Sequence, residues 1–237
     1  MLDAFGVEIT PEEIIRWNTL ALGPQGFSTW NVAISQDDYD DDPPSNDALL
    51  ANLFPLRNEM RGATVLEVGC GIGRRAKHPL RFGVAHYFGI DVASISIAIA
   101  LYRYRLNPNV TFLHSVHDAA DVRALQVDIA YMIDVAYHLE PSRLAAVLRT
   151  VAGLLRPGGV VHFDIIRTSP TMRVTVSTDL PDGNWPCYRH STENIARMGD
   201  DNGMTIDRTY EWDIPDIQEP DNRRLTVVMR RGGDADD

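Results

Sequence analysis

Between Thr64 and Ile165 five short apolar runs, TVLEV, HYFGI, VTFL, DIAYMI and VVHFDI, alternate with segments of helix length. Runs this continuously apolar suit strands buried on both faces. Between them IGRRAKHPLRFG, ASISIAIALYRYRL and PSRLAAVLRTVAGLL read as helices, the last closed by the Pro-Gly stop of RPGG. Such alternation predicts a doubly wound α/β fold with a mostly parallel sheet. The end of the chain differs. MTIDRTYEWDI and RRLTVVMRR read as two longer strands joined by the polar turn PDIQEPDN, an antiparallel C-terminal hairpin.

The first sixty residues read as helical and irregular. Thr10, Pro11 and Glu13 form an N-terminal helix signature ahead of IIRWNTLAL, and Gly23-Pro24 closes that helix. QDDYDDDPP reads as a solvated loop, and Asn46 to Met60 as a second helix. No internal repeat or interdomain linker stands out. The expected organisation is one domain, with residues 1–60 a helical cap or lid, residues 61–231 the α/β body and residues 232–237 a disordered tail.

Composition narrows the function. The net charge of -11 over 237 residues repels phosphate backbones, and the arginines form only short pairs such as Arg74-Arg75, Arg223-Arg224 and Arg230-Arg231. Nucleic-acid and anionic-membrane partners are disfavoured. Lys77 is the only lysine, which essentially excludes Schiff-base chemistry. Cys70 and Cys187 offer neither a disulfide framework nor metal-ligand spacing, so both read as structural or incidental thiols. No apolar run is long enough to span a bilayer and no export signal shows, which makes the cytoplasm the expected compartment.

The chemistry concentrates in VLEVGCGIG, residues 65–73, where a strand runs into Glu67, Gly69, Gly71 and Gly73. Glycines in a strand-to-helix turn let the backbone pass close to a ligand. A dinucleotide turn would place its third glycine at position 74, which is Arg74, and this counts against a nicotinamide enzyme. Asp91 then falls at the tip of the second strand, about twenty residues on, where a carboxylate can accept hydrogen bonds from both ribose hydroxyls.

In these residues the chain resembles the class I S-adenosylmethionine-dependent methyltransferases. VLEVGCGIG and GIDVA are similar to their first two motifs. DIAYMIDVAYHLEPSRL is similar to their fourth-strand segment, and LLRPGGVVHFDI to the turn and fifth strand that follow. The resemblance implies a seven-stranded sheet ending in an antiparallel strand, with S-adenosyl-L-methionine as cofactor. It implies that Gly69, Cys70 and Gly71 line the methionyl group with their backbone, that Glu67 helps hold its amino group, that Asp91 takes the ribose and that Val92 packs on the adenine. Ile133 and Asp134 would lie under the sulfonium. The adenine amine falls to His117 or Asp118 of FLHSVHDAAD, where the family's usual pattern is absent. Asp118 is equally a candidate helix cap.

Transfer of a methyl group to oxygen or nitrogen requires orientation, exclusion of water and removal of a proton. His138, after the fourth strand, is the candidate catalytic base, with Tyr137 beside it read as packing at the acceptor pocket. Asp164 and His162 alternate on the fifth strand, Asp164 near the tip and His162 buried. Residues 166–190 read as a long connection without clear regular structure, contributing Arg167, Trp185, Tyr188 and His190 to the pocket. Trp17, Phe27, Trp30 and Tyr39 form a candidate aromatic wall. His114 and His117 make no defensible metal site.

The reading is therefore a methyltransferase of a small-molecule acceptor, in specialised metabolism among other settings, working as a monomer or homodimer. A protein that binds the same cofactor for a non-methylating reaction or for sensing is the alternative. A nicotinamide oxidoreductase is the third reading.

Overall fold

The computed structural model describes residues 1–22, 54–167, 172–177, 184–212 and 224–233. Phe27, Trp30 and Tyr39, most of the helix expected from Asn46, the turn over 215–222 and the tail from 234 lie outside these residues. The described chain forms two compact units, Met1–Ala4 with Glu8–Val122, and Phe5–Val7 with Arg123–Asp237. Among the described residues no helix is long and apolar enough to cross a membrane.

The first unit opens on α1 (Pro11–Leu22). The main-chain N–H of Glu13 donates to Thr10 Oγ1 at 3.2 Å, and Thr10 N–H donates back to Glu13 Oε2 at 2.9 Å. This reciprocal capping box is the one anticipated from the sequence. Residues 55–62 form successive turns rather than the regular helix expected to run to Met60. Then come β1 (Thr64–Val68), α2 (Lys77–Phe82), β2 (His86–Asp91), α3 (Ser94–Tyr104), β3 (Val110–His114) and α4 (Ala119–Arg123). Strand β2 pairs in parallel with both β1 and β3. Tyr87, Leu66, Ile90, Phe54, Leu56 and Met60 are fully buried around these strands. The expected helix IGRRAKHPLRFG is shorter than its pattern suggested, because residues 71–76 are turns and only Lys77–Phe82 is helical.

The second unit contains β4 (Val127–Met132), a short 3₁₀ turn (Ala136–His138), α5 (Pro141–Leu154), β5 (Leu155–Arg167), β6 (Met172–Ser177), β7 (Asn184–His190), α6 (Thr192–Asp200), β8 (Met204–Trp212) and β9 (Arg224–Arg231). Strand β5 runs parallel to β4 and to the end of β7, and antiparallel to β9. The anticipated C-terminal hairpin is present as β8 against β9. Helix α5 buries Leu144, Val147, Leu148 and Val151, the i, i+3, i+4, i+7 stripe of a helix lying on a sheet.

Two expectations change here. Residues 166–190 are not an irregular connection: β6 and β7 form an antiparallel hairpin paired from Met172↔Arg189 to Ser177↔Asn184. Cys187 and Trp185 consequently stand on a strand. RPGG does not separate helix from strand either, since β5 already begins at Leu155. Gly159 is required there, because a Cβ would approach Arg156 O to 2.8 Å and Asp128 O to 3.0 Å.

Candidate functional site

In the first unit the turn after β1 is built around Asp91. Gly69 and Cys70 N–H groups donate to Ile90 O at 2.7 and 3.0 Å, tying the turn to the end of β2. Asp91 Oδ2 accepts the Gly71 N–H and Oδ1 accepts the Ala93 N–H, each at 2.8 Å. Burial raises the Asp91 carboxyl above its ordinary value, against the pull of the Ala93, Gly71 and Val92 N–H groups. A carboxylate has about four lone-pair sites, so Asp91 keeps acceptor capacity beyond these main-chain donors. Gly71 has φ 53°, and among the described residues, its chain neighbours apart, no atom stands within 4 Å of where its Cβ would be. The turn thus presents bare backbone to open space beside a fixed carboxylate, an arrangement that fits a nucleoside with a polar tail.

Glu67 points elsewhere. It is 1% exposed, and its Oε2 accepts the Tyr87 hydroxyl at 2.5 Å. This contact braces β1 against β2. Cys70 is buried, its thiol pushed well up by burial and then by the charges of Asp91 and Glu67. Val92 is half-buried just beyond the strand tip.

At the end of β3, Asp118 Oδ2 accepts the His114 N–H at 2.7 Å. The carboxylate therefore reaches back to the strand end instead of capping α4. His114 Nδ1 accepts the N–H groups of Val116 and His117, both at 3.2 Å, which places its proton on Nε2. His117 is exposed, its ring 4.3 Å from that of His114. Trp17 is half-buried on α1.

In the second unit the loop after β4 carries a cluster that sequence patterns only half revealed. Ile133 is buried, and Asp134 stands at φ 61°, the one described non-glycine residue with positive φ. That conformation costs roughly 1–2 kcal/mol, though aspartate bears it better than most residues. Asp134 N–H donates to Asp164 Oδ1 at 2.8 Å. Arg224, at the start of β9, donates from Nη1 to Asp164 Oδ2 at 2.8 Å and to Asp134 Oδ1. Tyr137 donates its hydroxyl to Asp134 Oδ1 at 3.2 Å and accepts from Arg224 Nη2 at 3.4 Å. Asp164 and Asp134 hold the Arg224 guanidinium well above its ordinary pKa, in spite of its burial.

Asp164 is therefore buried as well as His162, and its carboxylate is committed to this cluster. The His162 ring stacks on Tyr131 across the β4–β5 pair, 5.3 Å between centroids. His138 is half-buried on the 3₁₀ turn, its ring 4.3 Å from Tyr137. His190 is fully buried, and that burial lowers its pKa. Arg167 is exposed and ion-paired with Glu211, and Tyr188 is half-buried on β7. Sequence reasoning passed over Arg224, noting only an Arg pair. Among the described residues no group of three His, Cys, Asp or Glu side chains could hold a metal ion.

Residues 65–159 match a family described as a methyltransferase domain, which takes in β1, its glycine turn, Asp91 and the loop after β4. Over that segment the chain is similar to methyltransferase domains. Over 116 residues it is 34% identical to the ubiquinone biosynthesis O-methyltransferase of Neisseria meningitidis serogroup C (strain 053442), covering 47% of this chain and 48% of that one. Among solved structures, the 1,6-didemethyltoxoflavin-N1-methyltransferase of Burkholderia thailandensis, with S-adenosylhomocysteine bound, superposes with a TM-score of 0.62 at 18% identity, covering 95% and 92% of the two chains. Magnesium protoporphyrin IX methyltransferase of Synechocystis PCC 6803, with SAM bound, gives a TM-score of 0.60 at 16% identity, covering 95% and 100%. The fold is the Rossmann-like fold of S-adenosylmethionine-dependent methyltransferases, a class whose methyl donor is S-adenosylmethionine. The chain spans about half the length of the curated relatives it matches first.

Proposed function

We propose that this chain is an S-adenosylmethionine-dependent methyltransferase acting on an oxygen or nitrogen of a small molecule. The observation that carries the reading is the Gly71–Asp91 arrangement, an open positive-φ glycine whose N–H fixes a carboxylate at the tip of β2. Asp91 would accept the ribose hydroxyls, with Val92 against the adenine and Asp118 or His117 at its amine. The backbone of Gly69, Cys70 and Gly71 would hold the methionyl end, and Ile133 and Asp134 the sulfonium end. When bound, the cofactor supplies a methyl group on a sulfonium, a strong electrophile with a neutral leaving group.

His138 is assigned as the base that takes the proton of the acceptor hydroxyl or ammonium, a role worth about 10²–10⁴-fold in rate. Trp17, Trp30, Tyr39, Tyr137, Arg167, Tyr188 and His190 are assigned to the acceptor's surroundings, Arg167 at the rim and His190 from beneath. A small acceptor is favoured by the net charge of -11, which opposes polyanions. It is favoured also by the small-molecule acceptors named for the Neisseria and Burkholderia proteins.

Calorimetry with S-adenosylhomocysteine and with NAD tests the cofactor. Binding of the former is expected, weakened about tenfold or more by Asp91→Ala, since a charge-assisted pair of hydrogen bonds is lost. Binding of NAD alone would overturn the reading. Transfer is tested with isotopically labelled S-adenosylmethionine and a panel of phenols and catechols. His138→Ala should lower kcat about a hundredfold while the Kd for S-adenosylhomocysteine stays within about threefold. An unchanged kcat removes His138 from the role of base.

A further inference from the structure

Arg224 is 8% exposed, yet it carries a full charge into the second unit at the first position of β9. Its partners are remote in sequence: Asp164 lies 60 residues away, and Asp134 lies 90 away. These described partners of its side chain belong to, or hold, the loop between β4 and α5. Nη1 binds both carboxylates, Nη2 reaches the Tyr137 hydroxyl, and the guanidinium carbon stands 5.0 Å from the centroid of the Tyr137 ring. Asp164 in turn uses its second oxygen on the Asp134 N–H.

Stability alone is a poor explanation for such a cluster. A buried ion pair is often replaceable by apolar side chains of like volume without loss, so burying one is weak evidence of a stabilising role. This cluster also includes the one described non-glycine residue at positive φ, and a strained backbone persists only where its surroundings over-determine it. Asp134 is the more open of the two carboxylates, its side chain 22% exposed against 3% for Asp164. The guanidinium is the part that lysine cannot imitate, because a planar fork serves two carboxylates and a ring face together.

We infer that Arg224 is a positioning residue for methyl transfer, holding the loop of residues 133–138 in one arrangement so that Tyr137 and His138 face the acceptor in fixed orientation. This rests on the proposed role of that loop. Arg224 touches no reacting atom; it acts through Asp134, Asp164 and Tyr137. The sequence-based reading of Tyr137 as packing becomes a polar one, since its hydroxyl is held from both sides by the cluster.

The test uses the full chain and Arg224→Lys, which keeps the charge and loses the fork. Amide hydrogen exchange is read by NMR at Asp134, with Val161 on β5 as reference. The Asp134 amide should exchange at least about tenfold faster in the variant while Val161 is unchanged, as expected for local and not global opening. With an acceptor from the phenol panel, kcat should fall about tenfold or more, with the acceptor KM and the Kd for S-adenosylhomocysteine within about threefold. Should Arg224→Lys fail to fold, Tyr137→Phe removes the hydroxyl without stranding a charge, and the same acceleration at Asp134 is expected. Unchanged exchange at Asp134 in a folded Arg224→Lys overturns the inference. So does an effect that appears equally in the Kd for S-adenosylhomocysteine. If the unmodified protein fails to bind S-adenosylhomocysteine, the cofactor reading falls, and the exchange at Asp134 still decides whether Arg224 fixes the loop.

Discussion

Cys70 sits in the glycine turn after β1, its side chain buried and its thiol 3.6 Å from Gly71 O. Only the thiolate is nucleophilic, and here burial, Asp91 and Glu67 all oppose its formation. Iodoacetamide at pH 8 should therefore alkylate Cys70 at least about tenfold more slowly in the folded chain than after unfolding. Peptide mass mapping over time reads this directly, and rapid modification in the folded state would show the turn to be open. Glu67, Gly71 and Asp91 could be singled out in the sequence because each belongs to a local motif. The actual partner of Glu67 could not, because it depends on parallel pairing that sets Val65 against Tyr87 and brings Tyr87 beside β1. Arg224 was less legible still. Nothing near it in the chain distinguishes it from Arg223, and its meaning comes from strands that fold against it.

Helix α3 begins immediately after the Asp91 tip, and its own N-cap, Ala93, supplies no side-chain acceptor. Asn18 of α1 does so instead: its Oδ1 accepts the Ile95 N–H at 2.9 Å, and its Nδ2 lies 3.4 Å from Ser94 Oγ. A cap provided by another helix joins α1 to the start of α3, on the strand tip assigned to the ribose. Asn18→Ala should cost about 0.5–2 kcal/mol, the usual range for a lost cap, and Asn18→Asp should recover most of it. Urea denaturation of the three proteins measures the difference, and equal midpoints would show that the contact contributes nothing. The capping box of α1 was readable because both its partners lie within four residues, whereas the Asn18 cap spans 77 positions. The β6–β7 hairpin escaped notice for a related reason. Neither strand is a continuous apolar run, and pairing of Ile166 and Arg167 with Arg189 and His190 gives the hairpin a sheet to join. The apolar strands β1 to β5 needed no such help, since their composition alone implies burial.

On the scale of the whole molecule, a buried histidine with a lowered pKa in each unit should contribute to how stability responds to acid. His114 in the first unit and His190 in the second both have their pKa lowered from 6.5, chiefly by burial. The sign follows from proton counting. A histidine with a depressed folded-state pKa is neutral in the native state and gains its proton on unfolding. The unfolded chain then binds more protons, and stability is lost as pH falls through the unfolded value of about 6.5. Two effects run the other way. Asp91, whose pKa is raised above 3.8, favours the native state only at lower pH, where its own protonation sets in. The net charge of -11 shrinks on acidification, which relieves self-repulsion across the surface. The histidine contribution is therefore isolated as a difference between slopes. The Tm of the unmodified chain should fall from pH 7.5 to 5.5 more steeply than that of His114→Gln or His190→Gln, whatever the absolute Tm of each variant. Calorimetric scans at constant ionic strength give the slopes. Parallel lines for all three proteins would mean that neither histidine is held neutral by the fold.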